Sequence, residues 1–250
     1  MDTPIAGHCR PELDAVRRAF AANFAERGEV GAAVCVIVGG EVVVDLSGGW
    51  ADEARTRPWA CDTLVDVYSA GKAVVSTLAL RLVDDDSVTL DTVRYEGPED
   101  DALMNALAHF NPPGYSSIGV VNTTRWREAQ VPSTNGHGSA RGLARFYAAL
   151  LEPGRLLSPD LLELASRPHS VGPCPVLGEE VAFGLGFTPT TPRRPLGPNP
   201  RSFGHFGTGG ALGFADPDAG VAFGYVMNHV VPRWQSSRNR ALVDALYASL

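Results

Sequence analysis

A serine and a lysine three residues apart, Ser69 and Lys72, are the residues whose spacing most directly suggests chemistry. The chain has 21 Lys+Arg, and all of them except Lys72 are arginines. A guanidinium keeps its proton in proteins, whereas burial or nearby positive charge can make a lysine amine neutral. Positions three apart in a helix share a face. We therefore predict that the Lys72 amine takes the proton of the Ser69 hydroxyl and makes that serine an acyl-accepting nucleophile.

The alternative interpretation is a surface lysine that has a serine nearby by chance. The residues that follow favour the catalytic interpretation, because they are largely apolar at helical spacing and end at Asp84-Asp85-Asp86. We expect a buried helix that begins at residue 69 and keeps the lysine near its start out of open water. The apolar positions are Val74, Val75, Leu78, Leu80, Leu82 and Val83.

A second group of residues, from His205 to Gly210, has the sequence His-Phe-Gly-Thr-Gly-Gly and follows a predicted strand. A phosphate-binding loop does not fit, because the spacing differs from Gly-x-Gly-x-x-Gly and a strand, not a helix, is expected next. Two interpretations stay open. The segment is either a glycine turn with a buried histidine, or a strand whose backbone passes close to a bound substrate.

The elements that must position these residues are helices at both ends of the chain and two groups of short strands. Gly39-Gly40 between two β-branched runs predicts a hairpin. Hairpin connections make the sheet antiparallel, which gives an α+β fold with the terminal helices on one face and the Ser69 helix on the other. Predicted helices span 11–27, 139–151, 159–165 and 234–249, and predicted strands span 34–38, 42–46, 181–187, 202–205, 211–215 and 221–227.

Composition excludes several classes of function. The chain of 250 residues is 44% hydrophobic and 20% charged, with a net charge of -7. An acidic chain lacks the basic face that a nucleic-acid partner requires. No apolar run approaches the ~20 residues that span a membrane, and residues 1–10 lack a secretory apolar core. The scattered cysteines predict reduced thiols in a cytoplasmic protein, with neither disulfides nor a metal site. They are Cys9, Cys35, Cys61 and Cys174.

The two groups together resemble a known family of enzymes. The segment Ser69-Ala70-Gly71-Lys72, which follows Leu64-Val65-Asp66-Val67-Tyr68, and the histidine-glycine segment 205–210 before Leu212–Pro217 resemble the serine β-lactamase and D,D-peptidase-like hydrolases. The branch that the chain resembles most is the class C-like carboxylesterases of family VIII. The resemblance runs from roughly residue 11 to 91 and again from about 100 to 250.

The resemblance implies a role for each residue. Ser69 is the expected nucleophile and Lys72 its general base, and the backbone N–H groups of Ser69 and Thr208 form the expected oxyanion hole, in which one donor typically supplies ~3–4 kcal/mol. Segment 205–210 takes the place of the family's Lys-Thr-Gly motif. His205 occupies its polar position, and the glycines that line the substrate pocket are Gly207, Gly209 and Gly210. No cofactor or metal is implied.

One part of the family pattern is missing. Family members carry a Tyr-x-Asn or Tyr-x-Ser motif in a helical subdomain after the Ser-x-x-Lys helix, and we expect this subdomain to be missing after Leu90-Asp91. We therefore expect one β-lactamase-like domain over 1–250, with 92–137 as an irregular remnant of the subdomain. Tyr115 fits the tyrosine motif superficially, although its neighbours resemble a later part of the family. Loss of the subdomain exposes apolar surface that a homodimer could cover.

Three functions remain open at this point. The chain could be a serine hydrolase of short-acyl esters with weak β-lactam hydrolysis, or a protein that β-lactams acylate and that deacylates slowly. It could also be an impaired homologue whose cleft binds a small molecule or a partner. In the first two functions the substrate is a small-molecule ester or a β-lactam.

Overall fold

A computed structural model of the chain describes residues 3–85, 87, 120–174, 179–231 and 236–250. The strands are β1 (Ile5–Cys9), β2 (Gly31–Val38), β3 (Glu41–Gly49), β4 (Val65–Asp66), β5 (His137–Gly138), β6 (Ser170–Cys174), β7 (Glu179–Phe183), β8 (Thr188–Pro189), β9 (Phe203–Phe206), β10 (Leu212–Asp216) and β11 (Val221–Met227). Seven of them form one antiparallel sheet in the order β1-β3-β2-β11-β10-β9-β8. Two further pairs, β4 with β5 and β6 with β7, are separate.

The hairpin between β2 and β3 is the predicted one. Val38 pairs with Glu41, so Gly39 and Gly40 form a two-residue turn, with φ of 57° and 86°. Positive φ at both turn positions matches the twist of the flanking strands and favours glycine. The antiparallel pairing of β2 with β11 then joins the strands from the start of the chain to those from its end.

The helices are α1 (Asp14–Glu26), α2 (Lys72–Asp84), α3 (Thr124–Glu128), α4 (Ala140–Leu151), α5 (Pro159–Ser166) and α6 (Ser237–Tyr247). A 3-10 turn, Pro11–Leu13, precedes α1, and another, Tyr68–Gly71, precedes α2. The terminal helices α1 and α6 cover one face of the sheet. Their apolar side chains, such as Val16, Phe20 and Leu246, are buried there together with Phe214 and Phe223 of the sheet.

The other face of the sheet carries the helices around the nucleophile. Helix α4 packs against the middle of the sheet, and the small residue Gly224 of β11 lets it approach closely: a Cβ there would lie 2.2 Å from the Ala140 carbonyl oxygen. The Ser139 hydroxyl caps α4 by accepting a hydrogen bond from the Gly142 N–H at 3.1 Å. Helices α2 and α5 share this core through Ala73, Leu80 and Leu161 among others. Both predicted layers of helices are therefore present, and the predicted fold class is confirmed.

The prediction that α2 is a buried helix is wrong. Ala73, Thr77 and Leu80 are buried, but Leu78 is 64% exposed and Leu82 47% exposed. Apolar residues occupy more of the circumference of α2 than the single stripe that meets the neighbouring layer. An apolar run identifies a helix, but it does not show how much of that helix other elements cover.

Three regions differ from the sequence-based expectations. The edge strand β1 and the β6–β7 hairpin were not expected, and the predicted strand 181–187 is shorter and earlier, at Glu179–Phe183. The expected irregular segment 92–137 contains α3 and the start of β5 in its described part, and residues 92–119 lie outside the described residues. Within the described ranges, no helix combines the length and apolarity needed to cross a bilayer.

Candidate active site

A strained turn presents Ser69 at the start of α2. The residue before it, Tyr68, has a φ of 49°, which is uncommon for a residue that is not glycine. Asp66 stabilises this turn from two sides: its Oδ1 accepts a hydrogen bond from the Tyr68 N–H at 2.8 Å, and its Oδ2 accepts one from the Trp126 Nε1 at 3.1 Å. Backbone in a sparsely populated region persists when its surroundings hold it there, and such positions are frequent at active sites.

The Lys72 amine lies against the Ser69 hydroxyl. Its Nζ donates a hydrogen bond to the Ser69 Oγ at 2.6 Å, and both residues are half-buried. Burial lowers the pKa of the Lys72 ammonium, because the charged form loses part of its hydration. A lysine that loses its proton more easily and touches a hydroxyl has the geometry and the protonation equilibrium that a general base requires.

The glycine-rich segment after β9 runs directly beside the nucleophile turn. A Cβ on Gly207 would lie 2.3 Å from the carbonyl oxygen of Val67, two residues before Ser69. The Gly207 N–H donates to the Ala211 carbonyl at 2.7 Å, and the Val67 N–H donates to the Gly136 carbonyl at 2.8 Å. The structure therefore brings together the two motifs that the sequence singled out. At Gly207 the close neighbour that requires a glycine is the protein's own backbone.

His205 faces the same region in its neutral form. Its Nδ1 lies 2.7 Å from the Phe206 carbonyl oxygen, which can only accept, so Nδ1 carries the proton and Nε2 is left as an acceptor. Burial lowers the pKa of His205 to about 4, and the positive charges of Lys72 and Arg194 act in the same direction. At neutral pH this histidine therefore offers a hydrogen-bond acceptor and adds no positive charge to the site.

The remaining predicted site residues fall in three places. Thr208 is exposed between two buried glycines, and the positive φ of Gly209 (87°) and Gly210 (113°) turns the chain away after it. The Ser69 N–H lies in the first turn before α2, where backbone donors have no partner within the helix. Tyr115 lies outside the described residues.

A cavity of about 450 Å³ lies beside Tyr68. Asp66 and Tyr68 belong to its wall, but neither Ser69 nor Lys72 is among the described residues that line it. The wall of this cavity therefore includes the residue that precedes Ser69 in the chain.

Comparison with known proteins agrees with this arrangement. A model of the Beta-lactamase family matches residues 16–93 and 93–247. The chain belongs to the Beta-lactamase family. It is 24% identical to "Esterase/beta-lactamase LipL" of Mycobacterium tuberculosis over an alignment that covers 91% of this chain and 83% of the relative. Membership places the chain among esterase/beta-lactamase-like hydrolases.

Two solved structures have a similar fold. A family VIII carboxylesterase is 26% identical with a TM-score of 0.88, and the match covers 99% of this chain and 100% of the other. A penicillin-binding protein homologue from Caulobacter crescentus, also 26% identical, has a TM-score of 0.82 and covers 99% and 100% of the two chains. The fold and the superfamily expected from the sequence are confirmed by these two neighbours and the family match.

The lengths of these matches bear on the missing subdomain. The two parts of the family match meet at residue 93. The alignment with the mycobacterial relative runs over 362 residues, more than the 250 of this chain, so part of that relative has no counterpart here. Only the family match points to residue 93, because the alignment length does not locate the part without a counterpart. The domain boundaries at 92–137 stay a prediction.

Sequence reasoning missed the residues that support the nucleophile turn. Asp66, Trp126 and Gly136 act through hydrogen bonds to the turn, across long sequence separations for the last two. A signal existed only for Asp66, because an aspartate often accepts a hydrogen bond from the backbone N–H two residues later. Nothing in the sequence pairs Trp126 with that carboxylate.

Proposed function

We propose that the chain is a serine hydrolase that cleaves short-acyl carboxylic esters through an acyl-enzyme on Ser69. The observation that carries this proposal is the 2.6 Å hydrogen bond between Lys72 Nζ and Ser69 Oγ, in a place where burial lowers the pKa of the lysine. Membership of a family with an esterase relative and a carboxylesterase neighbour supports the choice of an ester substrate.

In the proposed acylation step Lys72 acts as the base. The neutral amine takes the proton of the Ser69 hydroxyl while the Oγ attacks the ester carbonyl carbon. The ester C–O bond then breaks, and the departing alkoxide takes the proton from the Lys72 ammonium and leaves as the alcohol. The N–H groups of Ser69 and Thr208 stabilise the negative charge on the carbonyl oxygen in the tetrahedral intermediate.

In the proposed deacylation step a water molecule takes the place of the alcohol. A base removes its proton while its oxygen attacks the acyl carbon, and the Ser69 Oγ leaves and regains a proton. Lys72 is again the base, and the neutral His205 can accept a hydrogen bond from the incoming water through Nε2. The glycines 207, 209 and 210, expected from the sequence to line the substrate pocket, instead fit the chain's own packing, because a Cβ there would meet Val67, Val230 or Ser236.

A second candidate is a protein that β-lactams acylate and that deacylates slowly. Within the described ranges, Lys72 is the titratable side chain hydrogen-bonded to Ser69. From the sequence we expect the segment that carries the family's tyrosine motif, which shares the proton transfers with the lysine, to be missing, and Tyr115, which fits the motif superficially, lies outside the described residues. With one base for both steps, either step can limit turnover. The similarity to a penicillin-binding protein homologue supports this second candidate.

Hydrolysis of a chromogenic short-chain ester by the wild type and by Ser69→Ala tests the proposal. We expect hydrolysis that Ser69→Ala abolishes, together with a transient acyl adduct on Ser69 in intact-mass spectra. A lasting adduct with a penicillin and little ester turnover would favour the second candidate. Equal rates for both proteins would exclude both and leave a binding role for the cleft.

A further inference from the structure

The cavity beside Tyr68 has hydrogen-bond donors in its wall. Two arginines, Arg57 and Arg127, line it with Trp59 and Tyr68. Among the described residues neither arginine makes a salt bridge, and Arg127 gives one hydrogen bond, from Nη2 to the Asn122 carbonyl oxygen at 2.6 Å. Each guanidinium has five N–H donors, so most of them remain available to a ligand.

One donor in this wall is buried and lacks a partner. Trp59 is 6% exposed, and its Nε1 has no hydrogen-bond partner in the part of the chain that the structure describes. Buried N–H groups in native proteins are almost always paired with protein, water or ligand, since an unpaired one is costly. The Nε1 atom exposes less than 1 Å² of its own surface, so a molecule in the cavity reaches it only if the wall moves.

Two residues of the same wall already take part in hydrogen bonds. Both carboxylate oxygens of Asp66 accept one, from the Tyr68 N–H and the Trp126 Nε1. The Asn228 Oδ1 accepts from the Gly31 N–H at 3.0 Å, and its Nδ2 donates to the Trp50 carbonyl at 2.8 Å. With two guanidinium groups in its wall, the cavity suits a ligand group that accepts hydrogen bonds.

The charge of the cavity wall indicates which kind of anionic group it binds. Two guanidinium groups and one ionised Asp66 leave the cavity with a small positive charge, although the chain as a whole has a net charge of -7. A singly charged carboxylate matches that balance better than a doubly charged phosphate, and a guanidinium binds it with two parallel hydrogen bonds. Tyr68 of the wall precedes Ser69 in the chain, so a group bound in the cavity lies near the nucleophile turn.

We propose that the cavity lined by Arg57, Trp59, Tyr68 and Arg127 binds a free carboxylate of the substrate, so that the preferred esters are half-esters of dicarboxylic acids. This inference rests on the proposed function for the reaction, but the binding of the carboxylate does not depend on it. Arg57 and Arg127 are specificity-determining residues in this proposal.

Calorimetric binding of glutarate tests the carboxylate site without any chemistry. Glutaramide, with the same length and no charge, is the matched ligand, and inorganic phosphate is the competing anion. Arg55→Gln is the matched control variant, because Arg55 is an exposed arginine on the same loop and does not line the cavity. Melting temperatures show whether each variant folds.

We expect glutarate to bind the wild type more tightly than glutaramide or phosphate, and to lose affinity about tenfold or more in Arg57→Gln and in Arg127→Gln, since each removes charged hydrogen bonds. Arg55→Gln should bind glutarate like the wild type. Absence of glutarate binding, an equal loss in Arg55→Gln, or tighter binding of phosphate would overturn the carboxylate site.

A pair of chromogenic esters tests the substrate class. The mono-4-nitrophenyl ester of glutaric acid carries the free carboxylate, and its methyl ester at the far end is the neutral analogue. We expect a higher kcat/KM for the acidic ester, with the ratio falling toward one in Arg57→Gln and Arg127→Gln. Equal kcat/KM for both esters in the wild type would overturn the preference while leaving the hydrolase proposal intact. Glutarate binding without hydrolysis of either ester would refute the hydrolase proposal and support the carboxylate site.

Discussion

Replacing Gly207 by alanine should push apart two parts of the candidate active site, the end of β9 and the turn before Ser69. The new Cβ would lie 2.3 Å from the Val67 carbonyl oxygen, and real Cβ contacts essentially never fall under 3.0 Å. The neighbour is backbone, so it cannot rotate away, and either the end of β9 or the turn before Ser69 must move by about 0.7 Å to reach that limit. A misplacement near 1 Å can cost about 10²-fold in rate. We therefore expect kcat/KM for a chromogenic ester to fall roughly 100-fold.

Gly71→Ala is the matched control for this prediction. It introduces the same methyl group between Ser69 and Lys72, but its nearest neighbour there would be the Gly136 Cα at 3.6 Å, an ordinary contact. Its kcat/KM should stay within a few-fold of the wild type. Equal activity of Gly207→Ala and the wild type would refute the close approach of β9 to the nucleophile turn, and an equal loss in both variants would show that any methyl group here is harmful.

Three further predictions concern the lysine and the core. Lys72→Met should lower kcat/KM by about 10²–10⁴-fold, the usual worth of a general base, and a loss under threefold would contradict its role. In the wild type, kcat/KM should rise with pH as Lys72 loses its proton, with a midpoint below the ordinary lysine pKa of 10.5 because burial lowers the pKa; a profile without that rise would speak against a neutral amine as the base. Arg238→Met should lower the free energy of unfolding by about 3–5 kcal/mol, because it leaves the buried Glu29, 3.1 Å from the Arg238 Nη1, without its positively charged partner, with the Tyr225 hydroxyl as a remaining hydrogen-bond donor. Arg18→Met, which removes an exposed pair with Asp14, should cost less than about 1 kcal/mol in the same denaturation experiment.

Local sequence patterns predicted much of the fold. Gly39-Gly40 between β-branched runs predicted the β2–β3 hairpin, and Ser139 before an amphipathic stretch predicted the start of α4. These features depend on neighbours in sequence, where turn geometry and capping act. The strand β1 has no such signal, because Ile5–Cys9 is an edge strand with mostly exposed residues and it forms only by pairing with β3.

The candidate site also combines local features, which the sequence predicts, with contacts between distant segments, which it does not predict. The pair Ser69 and Lys72 could be predicted because a helix places residues three apart on one face, and the 3-10 turn into α2 keeps that relation. The approach of Gly207 to Val67 and the hydrogen bond from Trp126 to Asp66 join segments far apart in the chain. Their partners follow from the sheet order and the packing of α3, which composition and periodicity do not encode. The exposed face of α2 was not predicted for a related reason, because the neighbouring elements decide how much of a helix is buried.

The time course of acyl-adduct formation on Ser69, followed by intact-mass spectrometry with a short-chain activated ester, tests most directly whether the Lys72 amine activates the Ser69 hydroxyl. The wild type should gain one acyl group on Ser69 at a rate that increases with pH, and Lys72→Met should gain it at least about 100 times more slowly. Acylation of both proteins at the same rate, or at a residue other than Ser69, would contradict the proposed mechanism.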